Sequence, residues 1–159
     1  MQVSEVMTGN PVCCIPSDTA QTAAIIMRDE DIGIVPIVEA KGSRKLVGVV
    51  TDRDLCVAVI AEQQIDPTSL AVERCMTGKL VVCGEDDDLE KVLDLMQENQ
   101  VRRVPVVNRQ NEIEGIVSLS DVVNRGKIAK GKTRETLKSI TEPTGQASKP
   151  RAESAKTTT

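Results

Sequence analysis

The sequence predicts an α/β (α+β) fold: two β-α-β-β-α repeats packed sheet to sheet about a pseudo-twofold axis. Three observations carry that expectation. Gly48-Val49-Val50-Thr51-Asp52-Arg53-Asp54, an apolar run ending in a hydroxyl residue with a carboxylate three positions on, returns as Gly115-Ile116-Val117-Ser118-Leu119-Ser120-Asp121. Met7-Thr8-Gly9 and Val35-Pro36 return as Met76-Thr77-Gly78 and Val104-Pro105. The apolar helix positions Ala20, Ala23, Ala24 and Met27 fall on Leu89, Val92, Leu93 and Met96. Self-similarity at a fixed period marks a structural repeat, and a sheet too small to stand alone must share a core with its copy.

Each element follows from local pattern. Val3, Val6 and Met7 lie at helical spacing in a short lead-in. Val12 to Ile15, between Pro11 and Pro16, reads as a brief strand. Ser17-Asp18-Thr19 offers N-cap oxygens to the helix that follows. Gly33 releases the chain into Ile34 to Val38, and the polar tip Glu39 to Lys45, with Gly42, turns it back into Leu46 to Thr51. A helix then runs from Asp52 to about Gln64, with Leu55, Ala58 and Val59 on one side. In the second copy Asp86-Asp87-Asp88 replace the capping Ser-Asp-Thr, as a cap and solvated turn, and the hairpin loop is two residues shorter. Loop tips tolerate such changes. Residues 1–66 form the first repeat and 67–128 the second, one interlocked unit joined by a linker at about 65–74. Residues 129–159 read as a basic, largely disordered tail, since 141–159 contain no Leu, Ile, Val or Met.

Composition narrows the chemistry. The chain has no His, which removes the common general base and metal ligand, and no aromatic residue on which a ring could stack. No Gly-rich phosphate loop appears, and no Cys has an obvious base, so the chain is not expected to be an enzyme and no metal is expected. The five cysteines form no C-x-x-C pair and read as reduced, mostly core thiols, with a redox role for Cys13-Cys14 as the alternative. Residues 1–124 hold 11 Lys and Arg against 21 Asp and Glu, a balance of −10, while 125–159 hold 9 against 3. So acidic a body is a poor nucleic-acid surface. No stretch of eighteen apolar residues and no apolar leader appears, which predicts a soluble, cytoplasmic chain without membrane contact.

Thr51-x-x-Asp54 and Ser118-x-x-Asp121 have two readings. Alone, each is a variant capping box, worth ~1 kcal/mol to its helix. The same corner also sets a carboxylate where it can accept from the adjacent hydroxyls of a ribose, with a hydroxyl and free helix amides beside it for an anion. Arg53, directly after the strand, could reach a phosphate. Any flat ligand must be held by aliphatic groups.

The element order, the Met-Thr-Gly leads, the Val-Pro strands and the G-h-h-[ST]-x-x-D junctions resemble a tandem cystathionine-β-synthase (CBS) domain pair, or Bateman module, over roughly residues 1–128. The resemblance implies a regulatory sensor whose clefts take an adenosine-containing ligand: AMP, ADP, ATP, NAD or S-adenosylmethionine. It implies ribose contacts from Asp54 and Asp121, with Thr51 and Ser118 near ribose or phosphate, and makes Arg53, Arg102 and Arg103 the phosphate candidates, with solvated surface charge as the alternative for Arg102 and Arg103. Val12, Val35, Pro36, Val104 and Pro105 would wall the adenine. No cofactor is required; an adenine nucleotide is the expected ligand. A homodimer is the expected assembly, and the regulated protein would be a separate, unidentified chain. A ligand-free protein–protein interaction scaffold is the alternative. The copies differ: Arg102-Arg103 stand where copy one has Gly33-Ile34, and Arg53 where copy two has Ser120. Unequal sites are expected.

Overall fold

A computed structural model of the chain describes residues 1–63, 66–126 and 130–141. The first repeat holds α1 (Ala20–Asp29), β2 (Ile34–Val38), β3 (Leu46–Thr51) and α2 (Asp52–Cys56), after a two-residue β1 (Thr8–Gly9). The second holds α3 (Leu89–Asn99), β4 (Arg103–Val107), β5 (Ile113–Ser118) and α4 (Leu119–Arg125). The fold is mixed α/β with antiparallel sheets, as the repeat predicts. The strand expected over Val12–Ile15 is reduced to a single parallel bridge between Cys14 and Ile37, mirrored by one between Cys83 and Val106.

Local chemistry accounts for the boundaries. Thr19 caps α1, its Oγ1 accepting from the Thr22 amide at 3.1 Å. In the second copy the expected triple-Asp cap divides differently. Asp88 makes no side-chain cap bond. Its Oδ1 instead accepts from the Met1 ammonium at 3.2 Å. Asp87 closes the turn through the Gly84 amide at 2.8 Å and pairs with Lys91 at 2.7 Å. Beyond α2 the helix widens into a π turn over Val57–Gln63, whereas α4 ends at a Gly126 C-cap.

The two leads are exchanged between the repeats. Thr8 and Gly9 pair with Ile116 and Gly115 of β5, so β1 joins the second repeat's sheet. Thr77 reciprocally bridges Val49 of β3. Val3 and Val6 lie in the core of repeat two, with Leu89, Val92 and Met96. Leu70 and Val72, from the stretch expected to be linker, lie in the core of repeat one. Matching backbone bonds fix both crossings, Val3 N–H to Asp87 and Val72 N–H to Asp18, at 3.0 and 2.8 Å. A third cluster, Ile34, Val38, Leu46, Val49, Val107, Ile113 and Ile116, is drawn from both hairpins and is the shared core.

This crossing explains the glycine that opens each repeated junction. A Cβ on Gly48 would lie 2.8 Å from the Met76 sulfur and 3.1 Å from the Thr77 carbonyl oxygen. On Gly115 it would lie 2.7 Å from the Met7 sulfur and 2.9 Å from the Thr8 oxygen. The Met-Thr of each lead runs over the bare backbone of the other repeat's closing strand.

The tail differs from expectation over its first part. Lys130–Thr141 forms a helix, α5, packed on α3. Thr136 and Ile140, four residues apart and so on one helical face, are buried there. The rest of the expected tail, 142–159, lies outside the described residues.

Candidate functional site: a cleft between the repeats

β-strand alternation sorts the residues near the shared face. In β2, Val35 and Ile37 turn to the helix-covered core while Ile34 and Val38 turn to the shared face. In β4, Val104 and Val106 turn to their own core, leaving Arg103 and Pro105 on the other side. Val35 and Val104, expected as ligand walls, are instead fully buried in the repeat cores and do not line the cleft. Pro36 and Pro105 are buried too, and neither lines the cleft.

The Ser118 corner opens onto a cleft of about 300 Å³. One wall comes from repeat two: Arg103, Ile116, Ser118, Ser120 and Asp121. The facing wall comes from repeat one, through the exchanged lead at Thr8 to Val12 and the end of α1 at Glu30 to Ile34. Arg103 and Ser118 are direct partners in the β4–β5 ladder.

Hydrogen bonds show how the Asp121 carboxylate is held. The Asp121 Oδ2 accepts from the Ser118 amide at 2.9 Å and from its hydroxyl at 2.5 Å. The Asp121 amide in turn donates to Ser118 Oγ at 3.1 Å, and Ser120 Oγ lies 2.7 Å from Ser118 Oγ. This is the capping box, and it engages Oδ2 alone; Oδ1 accepts no hydrogen bond among the described residues. The repeat-one corner is built alike. Asp54 Oδ2 accepts from the Thr51 amide at 2.9 Å and its hydroxyl at 2.7 Å.

Arg103 is half-buried, and none of the three ion pairs found among the described residues involves it. Its Nη2 lies 3.0 Å from the point a Gly33 Cβ would occupy, and Asp52 Oδ2 lies 2.8 Å from the same point. The glycine seats the guanidinium against the first repeat's backbone.

The sequence model of the CBS domain family matches this chain twice, at residues 3–61 and 72–127. The chain belongs to the CBS domain family. This CBS pair is 37% identical over 121 residues to the uncharacterized protein YlbB of Bacillus subtilis, covering 76% of this chain and 79% of YlbB. Among solved structures it resembles CBSX2 in complex with AMP, at 29% identity and a TM-score of 0.67, covering 78% of this chain and 94% of CBSX2. It also resembles the CBS domain pair of MJ0100 in complex with 5′-methylthioadenosine and S-adenosyl-L-methionine. There the identity is 25% and the TM-score 0.70, covering 79% of this chain and 98% of that one.

Within this CBS pair the expected site residues fall into two groups. Val12, Arg103, Ser118 and Asp121 meet in the cleft. Thr51, Arg53 and Asp54 stand at the pseudo-symmetric corner, with Arg53 exposed and Thr51 and Asp54 half-buried, and do not line it. Arg102 is exposed just before β4, its carbonyl accepting from the Leu119 amide at 2.8 Å. The reading of the residues missed Asn10, Glu30 and Asp31. Asn10 and Asp31 have positive φ, 50° and 52°, and the Asn-Pro and Asp-Ile-Gly punctuation around them was the available signal.

The cysteines are all free. Burial pushes the thiols of Cys14 and Cys83 up to about 12, with Asp18 and Asp87 adding to it. Cys13, half-buried near Arg44, is also raised by burial. Among the described residues no helix is long and apolar enough to cross a membrane, and no His/Cys/Asp/Glu group could hold a metal ion.

Proposed function

We propose that this CBS pair is a regulatory sensor, not an enzyme, and that it binds an adenosine-containing ligand in the Ser118–Asp121 cleft. Asp121 Oδ1 takes the ribose hydroxyls, Ser118 and Ser120 lie beside the 5′ oxygen, and Arg103 receives a phosphate. Val12, Ile34 and Ile116 supply aliphatic surface for the base. The observation that carries the reading is the free oxygen of Asp121, held by its cap at the mouth of a cleft built from both repeats. The AMP and S-adenosyl-L-methionine complexes of CBSX2 and MJ0100 support the ligand class. Because the cleft walls come from different repeats, an occupant would draw them together, which is a route from binding to a change in shape.

A second copy is the partner we assign, through the exposed apolar side chains Ile25, Val57, Ile60 and Val123 on the helices. A ligand-free scaffold is the alternative reading. A thermal-shift panel of AMP, ADP, ATP, NAD and S-adenosylmethionine separates the two. A ligand at a hundredfold its Kd stabilises the fold by ~2.7 kcal/mol, an evident rise in Tm. No rise with any of the five would leave the scaffold.

A further inference from the structure

The charge of the cleft, not only its shape, restricts the ligand. Three carboxylates line it, those of Glu30, Asp31 and Asp121, against the single guanidinium of Arg103. That guanidinium is not isolated, because Asp52 shares with it the space over Gly33. The surrounding body carries the balance of −10 set by its sequence. The other phosphate candidates, Arg53 and Arg102, lie outside the lining. The cleft, about 300 Å³, is also at the small end of the ~300–1,000 Å³ range of ligand pockets.

We infer that this cleft selects adenosine derivatives bearing at most one phosphate, or a neutral or cationic 5′ group, over di- and triphosphates. The inference rests on the ligand reading above and narrows it. A monophosphate meets Arg103, the one guanidinium in the lining. Each further phosphate adds negative charge with no new cation to meet it, and the acidic wall repels it across the cleft with a strength that salt screens. Glu30 and Asp31, exposed at the rim, are the residues placed to enforce the discrimination. Neither takes part in the capping network of Asp121.

The test is titration calorimetry of the full chain with AMP, ATP and uncharged 5′-methylthioadenosine, at low and high salt. It is repeated with the double variant Glu30→Gln/Asp31→Asn. AMP and 5′-methylthioadenosine are expected to bind at least about tenfold tighter than ATP at low salt, a gap that narrows as salt screens the wall. The double variant is expected to strengthen ATP severalfold relative to 5′-methylthioadenosine. ATP binding as tightly as AMP, or ATP indifferent to the double variant, overturns the inference while the ligand reading stands. Failure of all three to bind removes that reading and this inference together.

Discussion

Arg103 faces Ser118 across the β4–β5 ladder, so the cation of the cleft and the hydroxyl that caps α4 leave the same end of one hairpin. Asp121, three residues past Ser118, completes the set, and Gly33 of the other repeat receives the guanidinium. The site is thus a by-product of the repeat: strand, cap and helix place the polar groups, and the exchanged lead closes them in.

If the exchange of leads holds the two repeats together, the bare backbone of β5 is needed where Met7 crosses it. Gly115→Ala puts a Cβ 2.7 Å from the Met7 sulfur and 2.9 Å from backbone oxygen. Overpacking of this kind costs ~1–3 kcal/mol, read as a lower midpoint in urea unfolding. Gly78→Ala, with nothing within 4 Å of its Cβ, is the control and leaves the midpoint within ~0.5 kcal/mol of the parent.

Acid sensitivity has an identifiable contributor in Asp87. Its hydrogen bonds from the Lys91 side chain and the Gly84 amide hold its carboxyl below the usual Asp range. A depressed folded value gives stability that is present above the unfolded value of ~3.9 and lost as pH falls through the folded one. Asp87→Asn should therefore unfold at lower urea than the parent at pH 7. The difference should close as pH drops below about 4; a difference constant across pH contradicts the assignment.

Thiol reactivity should follow burial. Cys56 is exposed, whereas Cys14 and Cys83 are buried with thiols pushed up to about 12. Because the thiolate is the nucleophile, iodoacetamide at pH 8 should label Cys56 first. Cys14 and Cys83 should react only after denaturation, as mass spectrometry of the peptides would show. Early labelling of Cys14 would contradict its place in the core.

Self-association through the helices gives a further expectation. Ile60 is 70% exposed, far more than its apolar neighbours Leu55 and Ala58. Ile60→Lys should shift the chain from dimer to monomer in light scattering after size exclusion, with Tm little changed. A parent that is already monomeric, or a variant that remains dimeric, removes this face as the contact.

How much was legible beforehand depends on the residue. The strands Ile34–Val38 and Leu46–Thr51 could be read because apolar runs and polar tips bound them. Both capping corners could be read because a hydroxyl and a carboxylate three apart have one local geometry. Where Val3 and Leu70 would pack could not, since an amphipathic lead does not say which repeat it serves. Val35 enters the ligand wall only through the family resemblance; along a strand apolar on both faces, alternation does not tell core from cleft. Nothing in the local sequence marks Glu30 and Asp31 as site residues; only the fold brings them into one cleft with Asp121. In α5, too few apolar residues stood in the sequence to distinguish a packed face from a tail.

We assign the ribose of an adenosine ligand to Asp121 and not to its repeat-one counterpart. Calorimetric titration of AMP into the parent, Asp121→Asn and Asp54→Asn tests it directly, since Asn keeps an acceptor oxygen for each cap while the second carboxylate oxygen, and with it the charge, is replaced by an amide N–H donor. Losing a charged hydrogen bond costs ~1.5–3 kcal/mol. AMP should therefore bind Asp121→Asn about ten- to a hundredfold more weakly and Asp54→Asn as the parent does. Equal affinity for all three proteins, or a loss confined to Asp54→Asn, would contradict the account.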